Sequence, residues 1–231
     1  VSSITANKVG SPIYRNHGAG GQPYVYFDGS SRFDISFNAN MNPESMTVFA
    51  VARTTNDNGN QQSIIVSREL PSEGYSVTYD MNNNRVAVGF PTSLTSSTNT
   101  VSTNSPNIIS AKIPASGTKR LFLNGEQIVT NSDAYDNSDA ATTFIGASDS
   151  STSDPFVGNI YEIVIYNRDL IPDEFAQIEG YLSSKYNIPL SIDHPYRFFS
   201  FKEDADSVKV VFDAKRVPSK SEPYGFVNKV R

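Results

Sequence analysis

The stretch "FVGNIYEIVIYNRDLIPDEFAQIEGYLSSKYNI", residues 156–188, changes character at its middle. From Val157 to Asn167 it reads as a strand, rich in β-branched and aromatic residues. After "RDLIP" it reads as a helix. Pro172 suits a first helical turn, where its missing N–H is harmless. Asp173 and Glu174 favour the positive end of the helix dipole. Phe175, Ile178 and Leu182 fall on one face of a 3.6-residue period. Asn187 and Pro189 stop the helix. Gln177, Glu179 and Ser183 lie off the apolar stripe, so the helix is expected to dock by that stripe alone.

Outward from this segment the chain is a series of short strand-like runs between polar loops. "YVYFD" (24–28) precedes "RFDISF" (32–37), in which Phe33, Ile35 and Phe37 share a face. "MTVFAVART" (46–54) is apolar on both faces and reads as a central strand. "SIIVS" (63–67), "GYSVTYD" (74–80), "RVAVGF" (85–90), "NIISAKI" (107–113), "KRLFLNGEQIV" (119–129) and "TTFIGA" (142–147) continue the pattern. Asn124-Gly125 fits a two-residue hairpin turn whose central residues both need positive φ. Many short strands at close spacing predict an all-β chain, a sandwich of two antiparallel sheets.

Composition narrows the function. With 38% hydrophobic and 11% aromatic residues, the chain can fill a core. A net charge of −5 argues against a nucleic-acid surface. The absence of cysteine excludes disulfides, thiolate catalysis and cysteine-based zinc sites. None of the asparagines sits in an N-x-[ST] sequon, which with the missing cysteines favours a bacterial or viral source. No apolar run is long enough to insert in a membrane.

Charge balance shifts along the chain. Residues 1–188 hold 11 basic and 18 acidic side chains, whereas 189–231 hold 8 and 6. The expected organisation is a sandwich over 1–188 and a β-rich appendage over 189–231, a hairpin around "EDAD" followed by an irregular tail. The appendage is expected to pack on the sandwich, reach a partner or lead into a further domain. Phe198, Phe199 and Phe201 are its candidate assembly contacts, to a second copy of the chain or to other virion subunits.

The order of "PYVYFDGSSRFDI", "MTVFAVART", "GYSVTYDMNNNRVAVGF", "KRLFLNGEQI" and the 156–188 segment resembles the concanavalin A-like lectin/glucanase superfamily, in its laminin-G-like form. The resemblance covers about residues 20–188. It implies a jelly-roll-like sandwich and a glycan-binding or adhesive role at an extracellular or virion surface. It also implies a structural Ca2+ in some members, no required cofactor, and catalysis in a minority.

Three chemistries follow for this chain. Catalysis by the glucanase branch needs paired carboxylates on one strand, as Glu-x-Asp-x-x-Glu or Glu-x-Asp-x-Glu. Neither run occurs: Glu162 stands alone in its strand, and Glu69 and Glu73 fall in a loop beside the Asp80 strand. His17 and His194 have no partner at ligand or triad spacing, so no enzyme is expected. A glycan site needs an aromatic platform beside amides and carboxylates. Tyr135, in a polar loop, is the first candidate, with Tyr79, Asp80, Asn82 and Asn83 beside it. Tyr75 and Tyr79 also fit plain cross-strand packing. A calcium site would draw on Asp133, Asp136 and Asp149, against the reading of a solvated acidic loop. Arg168 and Asp169 are expected to fix the strand-to-helix corner. The expected function is non-catalytic recognition of a glycan or surface polysaccharide. The alternatives are a phage virion structural protein, in capsid decoration or tail, and a glycoside hydrolase or lyase with an atypical site.

Overall fold

The computed structural model describes residues 4–56, 59–68, 74–89, 94–95, 101, 103–138, 141–197, 200–204 and 207–211. Two seven-stranded sheets face each other. In chain order the strands are β1 (Asn7–Val9), β2 (Ile13–Arg15), β3 (Tyr24–Asp28), β4 (Arg32–Ile35), β5 (Met46–Thr54), β6 (Gln61–Ser67), β7 (Tyr75–Asp80) and β8 (Arg85–Gly89). There follow β9 (Leu94–Thr95), β10 (Asn107–Ile113), β11 (Lys119–Leu123), β12 (Glu126–Asn131), β13 (Thr143–Ile145) and β14 (Val157–Tyr166). The first sheet runs β1-β4-β13-β6-β7-β8-β9 and the second β12-β11-β10-β5-β14-β3-β2, with antiparallel pairing throughout. A hairpin of β15 (Ser200–Asp204) and β16 (Ser207–Val211) follows the helix α1 (Pro172–Tyr186).

β5 sits mid-sheet between β10 and β14. Its side chains alternate between two cores, as its two apolar faces require. Val48, Ala50 and Ala52 join the core between the sheets, with Tyr75, Val77, Tyr79, Val86, Val88 and Ile109. Phe49 and Val51 join a second core beneath α1, with Ile108, Leu170, Phe175 and Leu182. The Asn124-Gly125 turn forms as its sequence demands, with φ of 50° and 78°. β4 stops at Ile35, however, and Phe37, which the alternation placed in the core, is 51% exposed.

The helix is buried on more than one stripe. Glu179 and Ser183, on the expected polar face, are both buried. Leu190 joins the second core, and His194 lies 3.1 Å from Glu179 with both side chains withdrawn from solvent. Ser191 N–H donates to the Asn124 carbonyl at 3.0 Å. The segment after Pro189 thus returns over the helix and supplies partners that a local period cannot show. His194 has a carboxylate partner after all, 15 residues upstream.

The strand-to-helix corner is tied from inside. Thr47 Oγ1 donates to the Arg168 carbonyl at 3.0 Å and accepts the Leu170 N–H at 3.1 Å. The buried Lys112 ammonium donates to the Leu170 carbonyl and pairs with Asp169 at 3.0 Å. Arg168 grips Glu174 through two bonds of 2.6 and 2.9 Å, and Glu174 also accepts the Ile171 N–H. Arg168 and Asp169 are therefore corner residues. Replacing Thr47 by the isosteric Val leaves the buried Leu170 N–H and the part-buried Arg168 carbonyl without that partner. Thr47→Val should lower stability by about 2 kcal/mol. Urea unfolding followed by far-UV circular dichroism would show a lower midpoint at unchanged slope.

Candidate functional site: a tyrosine-lined pocket at the end of the helix

The helix covers its sheet unevenly. Beyond its C-terminal end a cavity of about 460 Å3 opens, lined by Tyr186 and Asn187 of the helix end, by Arg53 of β5, and by Asn159 and Tyr161 of β14. Tyr24 of β3, the "HGAG" segment (17–20) and Pro106 complete the wall.

A β-bulge builds its centre. Asn159 pairs with Arg53 and Ile160 with Ala52, but Glu162, not Tyr161, pairs with Val51. Tyr161 is the extra residue. A bulge re-aims side chains, and here it turns two consecutive ones, Tyr161 and Glu162, toward the helix. The Tyr161 ring lies 5.5 Å from both the Tyr24 and the Tyr186 rings, at tilted angles. Glu162 accepts the Tyr186 hydroxyl at 2.9 Å and the Lys185 ammonium at 3.0 Å, so one carboxylate fixes the helix end and the third ring. Burial and the nearby Glu162 charge push the Tyr186 phenol well above its ordinary pKa, which keeps it a donor.

Glycines let the backbone close on this cluster. A Cβ on Gly18 would stand 2.6 Å from Tyr161 Cε1 and 2.7 Å from Tyr24 Cδ1. Gly20 has φ of +59°, and a Cβ there would meet the Lys185 carbonyl oxygen at 2.2 Å. Asn159 Nδ2 donates to the Tyr161 hydroxyl at 3.2 Å. Arg53 differs from its neighbours: its Nε is buried with no hydrogen-bond partner, and its guanidinium forms no ion pair among the described residues.

The residues singled out from sequence fall elsewhere. Tyr135 is 8% exposed, packs into the inter-sheet core and donates its hydroxyl to Asn42. A ring so placed cannot serve as a sugar platform. The expectation failed because its partner stands 93 residues away in sequence, so a polar loop holds a core tyrosine. Tyr79 is fully buried, and its hydroxyl donates to the Ala52 carbonyl at 3.0 Å, which makes it the packing residue of the two readings. Asp80, Asn82 and Asn83 do come together, at the turn joining β7 and β8. There Asp80 pairs with Arg85 at 2.7 Å and accepts from Asn83 at 3.0 Å. Burial raises the Asp80 pKa, but these two bonds outweigh it and hold the carboxyl below the usual range.

Asp133, Asp136 and Asp149 stay at the surface and accept bonds from Asn131, Ser138, Ser151 and Ser153 in their own loops. The Ser138 hydroxyl and N–H lower the Asp136 pKa, and the Ser153 N–H and hydroxyl do the same for Asp149. Among the described residues no three acidic or histidine side chains gather as a metal cluster. Of the carboxylates considered for catalysis, Glu162 and Asp80 are both held in ion pairs. Glu69, Glu73, Phe198 and Phe199 lie outside the described residues, and Phe201 falls in β15, described by its backbone alone.

The pocket itself was not foreseen. Its residues come from five separate stretches of chain. The signal that could have found it is an arginine in the one strand that is otherwise apolar on both faces.

Comparison with known proteins agrees with this architecture. The family profile described as the concanavalin A-like lectin/glucanases superfamily, of laminin G type, matches residues 19–176, more than half the chain. The chain belongs to this superfamily. No curated protein sequence matches it. Among solved structures, the fold is similar to the carbohydrate-binding module CBM40 of the Ruminococcus gnavus IT-sialidase, bound to α2,3-sialyllactose. That match has a TM-score of 0.51 at 20% identity over 59% of this chain and 83% of the other. It is also similar to domain 4 of AbnA, an extracellular arabinanase of Geobacillus stearothermophilus, in complex with arabinotriose. There the TM-score is 0.57 at 14% identity, over 77% and 87% of the two chains. The botulinum neurotoxin serotype G binding domain gives 0.61 at 14% identity, over 91% of this chain and 58% of that one. At these identities the likeness establishes the shared concanavalin A-like fold.

The placement of Tyr135 has a direct consequence. Tyr135→Phe should lower stability by about 1–2 kcal/mol through the loss of the bond to Asn42. Tyr135→Ala should lower it by about 3–5 kcal/mol, the range for truncating a buried aromatic ring. Thermal unfolding of both variants checks this, and equal midpoints for wild type and Tyr135→Ala would contradict the core assignment.

Proposed function

We propose that this chain is a non-catalytic, extracellular glycan-recognition module, and that the pocket at the end of α1 is its binding site. The observation that carries the reading is the pocket's composition. Two half-buried tyrosine rings, Tyr24 and Tyr161, offer faces and hydroxyls to a sugar, backed by the buried Tyr186 and next to the amides of Asn159 and Asn187 and the guanidinium of Arg53. Glycan sites join apolar ring faces to a few fixed polar groups in this way. The rings are held before any ligand arrives, Tyr186 by Glu162 and Tyr161 by the bulge, which lowers the entropy lost on binding.

Two further facts support the reading. Structures of the same fold, at low identity, are carbohydrate-binding domains seen with sialyllactose and arabinotriose. Both belong to bacterial proteins, which favours a bacterial setting for this chain. Of the described carboxylates considered for catalysis, Glu162 and Asp80 are engaged in ion pairs, which speaks for binding over turnover. Among the described residues no helix is long and apolar enough to cross a membrane.

A glycan array probed with wild type and with Tyr161→Ala tests the site. The wild type should bind at least one glycan class, and Tyr161→Ala should weaken that binding by roughly tenfold or more, given the worth of a stacked ring. An array with no wild-type hit, or with equal binding by the variant, would overturn the assignment.

A further inference from the structure

The geometry points to an acidic glycan as the ligand of this pocket, its carboxylate or sulfate held by Arg53. The inference rests on the glycan-binding reading above and sharpens it to a chemical class.

Three charged pairs elsewhere in the sandwich are matched. Arg32 pairs with Asp34 at 2.8 Å, Lys112 with Asp169 at 3.0 Å, and Asp80 with Arg85 at 2.7 Å. Arg53 differs from these. Its Nε lies inside the protein without a hydrogen-bond partner, and the guanidinium has no carboxylate beside it among the described residues. A guanidinium offers five N–H donors in a planar fork and accepts nothing, so an anionic oxygen is its natural complement. A buried donor left without a partner calls for an explanation, and in a group that lines a cavity an ion or ligand supplies one.

The surroundings agree. Among the described residues no acidic side chain lines this cavity. Neutral sugars are usually gripped by carboxylates and amides that accept bonds from their hydroxyls. Here the wall presents a cation, amides and phenols. Glu162, next to Tyr161 on the bulge, is engaged in its bonds with Lys185 and Tyr186. The C-terminal end of α1 borders the same pocket and works against an anion, and Lys185 of its last turn is paired with Glu162 at 3.0 Å, so the attraction has to come from Arg53. Arg53 stands opposite Asn159 across the β5–β14 ladder, so an anion on the fork lies against the amide and within reach of the ring cluster. The sugar ring would then rest on the tyrosines while its charge reaches inward.

Calorimetric titration tests this with sialyllactose, a glucuronic-acid disaccharide, sulfated lactose, neutral lactose and arabinotriose. Wild type should bind one or more of the charged sugars at least tenfold more tightly than the neutral ones, and the preference should shrink as salt rises from 50 to 500 mM. The carboxylated and sulfated arms say which anion is held, and tight binding of either supports the proposal. Arg53→Gln should abolish the preference and Arg53→Lys should retain part of it, while Tyr161→Ala should weaken charged and neutral sugars alike. Should Arg53→Gln fail to fold by thermal melt, the wild-type salt dependence and Arg53→Lys still decide. Equal, salt-insensitive binding of charged and neutral sugars that Tyr161→Ala destroys would overturn the acidic-glycan inference and leave the binding site standing. Absence of binding to every sugar would overturn both.

Discussion

The hydroxyl of Thr47 and the ammonium of Lys112 hold the turn between β14 and α1, and the rest of the molecule depends on that turn. Both side chains belong to central strands of one sheet, and both reach the same three residues, Arg168 to Leu170. They satisfy backbone groups that a tight corner would otherwise bury without partners. Fixing the corner fixes the direction of the helix. A fixed helix lays Phe175 against Phe49 and Phe122, with ring centroids 5.0 and 4.6 Å apart. Its far end then brings Lys185 and Tyr186 onto Glu162. The pocket is thus positioned from both ends of one helix, by polar bonds at the corner and by a shared carboxylate at the tip.

The fold was legible in sequence wherever the cause was local. Two apolar faces on residues 46–54 required a strand covered on both sides, and Asn124-Gly125 required a two-residue turn. Pro172, the acidic first turn and Asn187 bounded the helix. Legibility ended where a partner lay far along the chain. Glu179 looked like surface because the segment that covers it, around His194, comes later and has no period of its own. Tyr135 looked exposed because Asn42 lies on the other side of the sandwich sequence. Phe37 looked buried because alternation was extended two residues past the true end of β4.

The site was hidden for a related reason. Its key geometric event is a bulge, and a bulge inserts one residue without changing composition. In the sequence "GNIYEIV" nothing distinguishes Tyr161 as the residue that steps out of register. Only pairing with β5 shows it. The glycines of "HGAGG" were visible, but their purpose was not, since the groups they approach lie on β3, β14 and the end of the helix. Aromatic residues in polar loops drew the sequence reading to Tyr135, whereas the ring cluster of the pocket is made of strand and helix tyrosines that any pattern assigns to packing.

Selection for stability alone would remove a buried donor without a partner, since leaving one unsatisfied costs about 1–3 kcal/mol. The position of Arg53 makes the point sharper. On β5 it follows Ala52, whose methyl enters the inter-sheet core, and it continues the face that Phe49 and Val51 turn to the helix. An aliphatic residue there would extend the second core and cover Tyr161 and Tyr186. An arginine instead ends that core and opens the cavity at the point where the helix stops. The same strand that organises the two cores therefore also sets the limit of one of them, and the polar gap it leaves is where the fold departs from packing as its sole purpose.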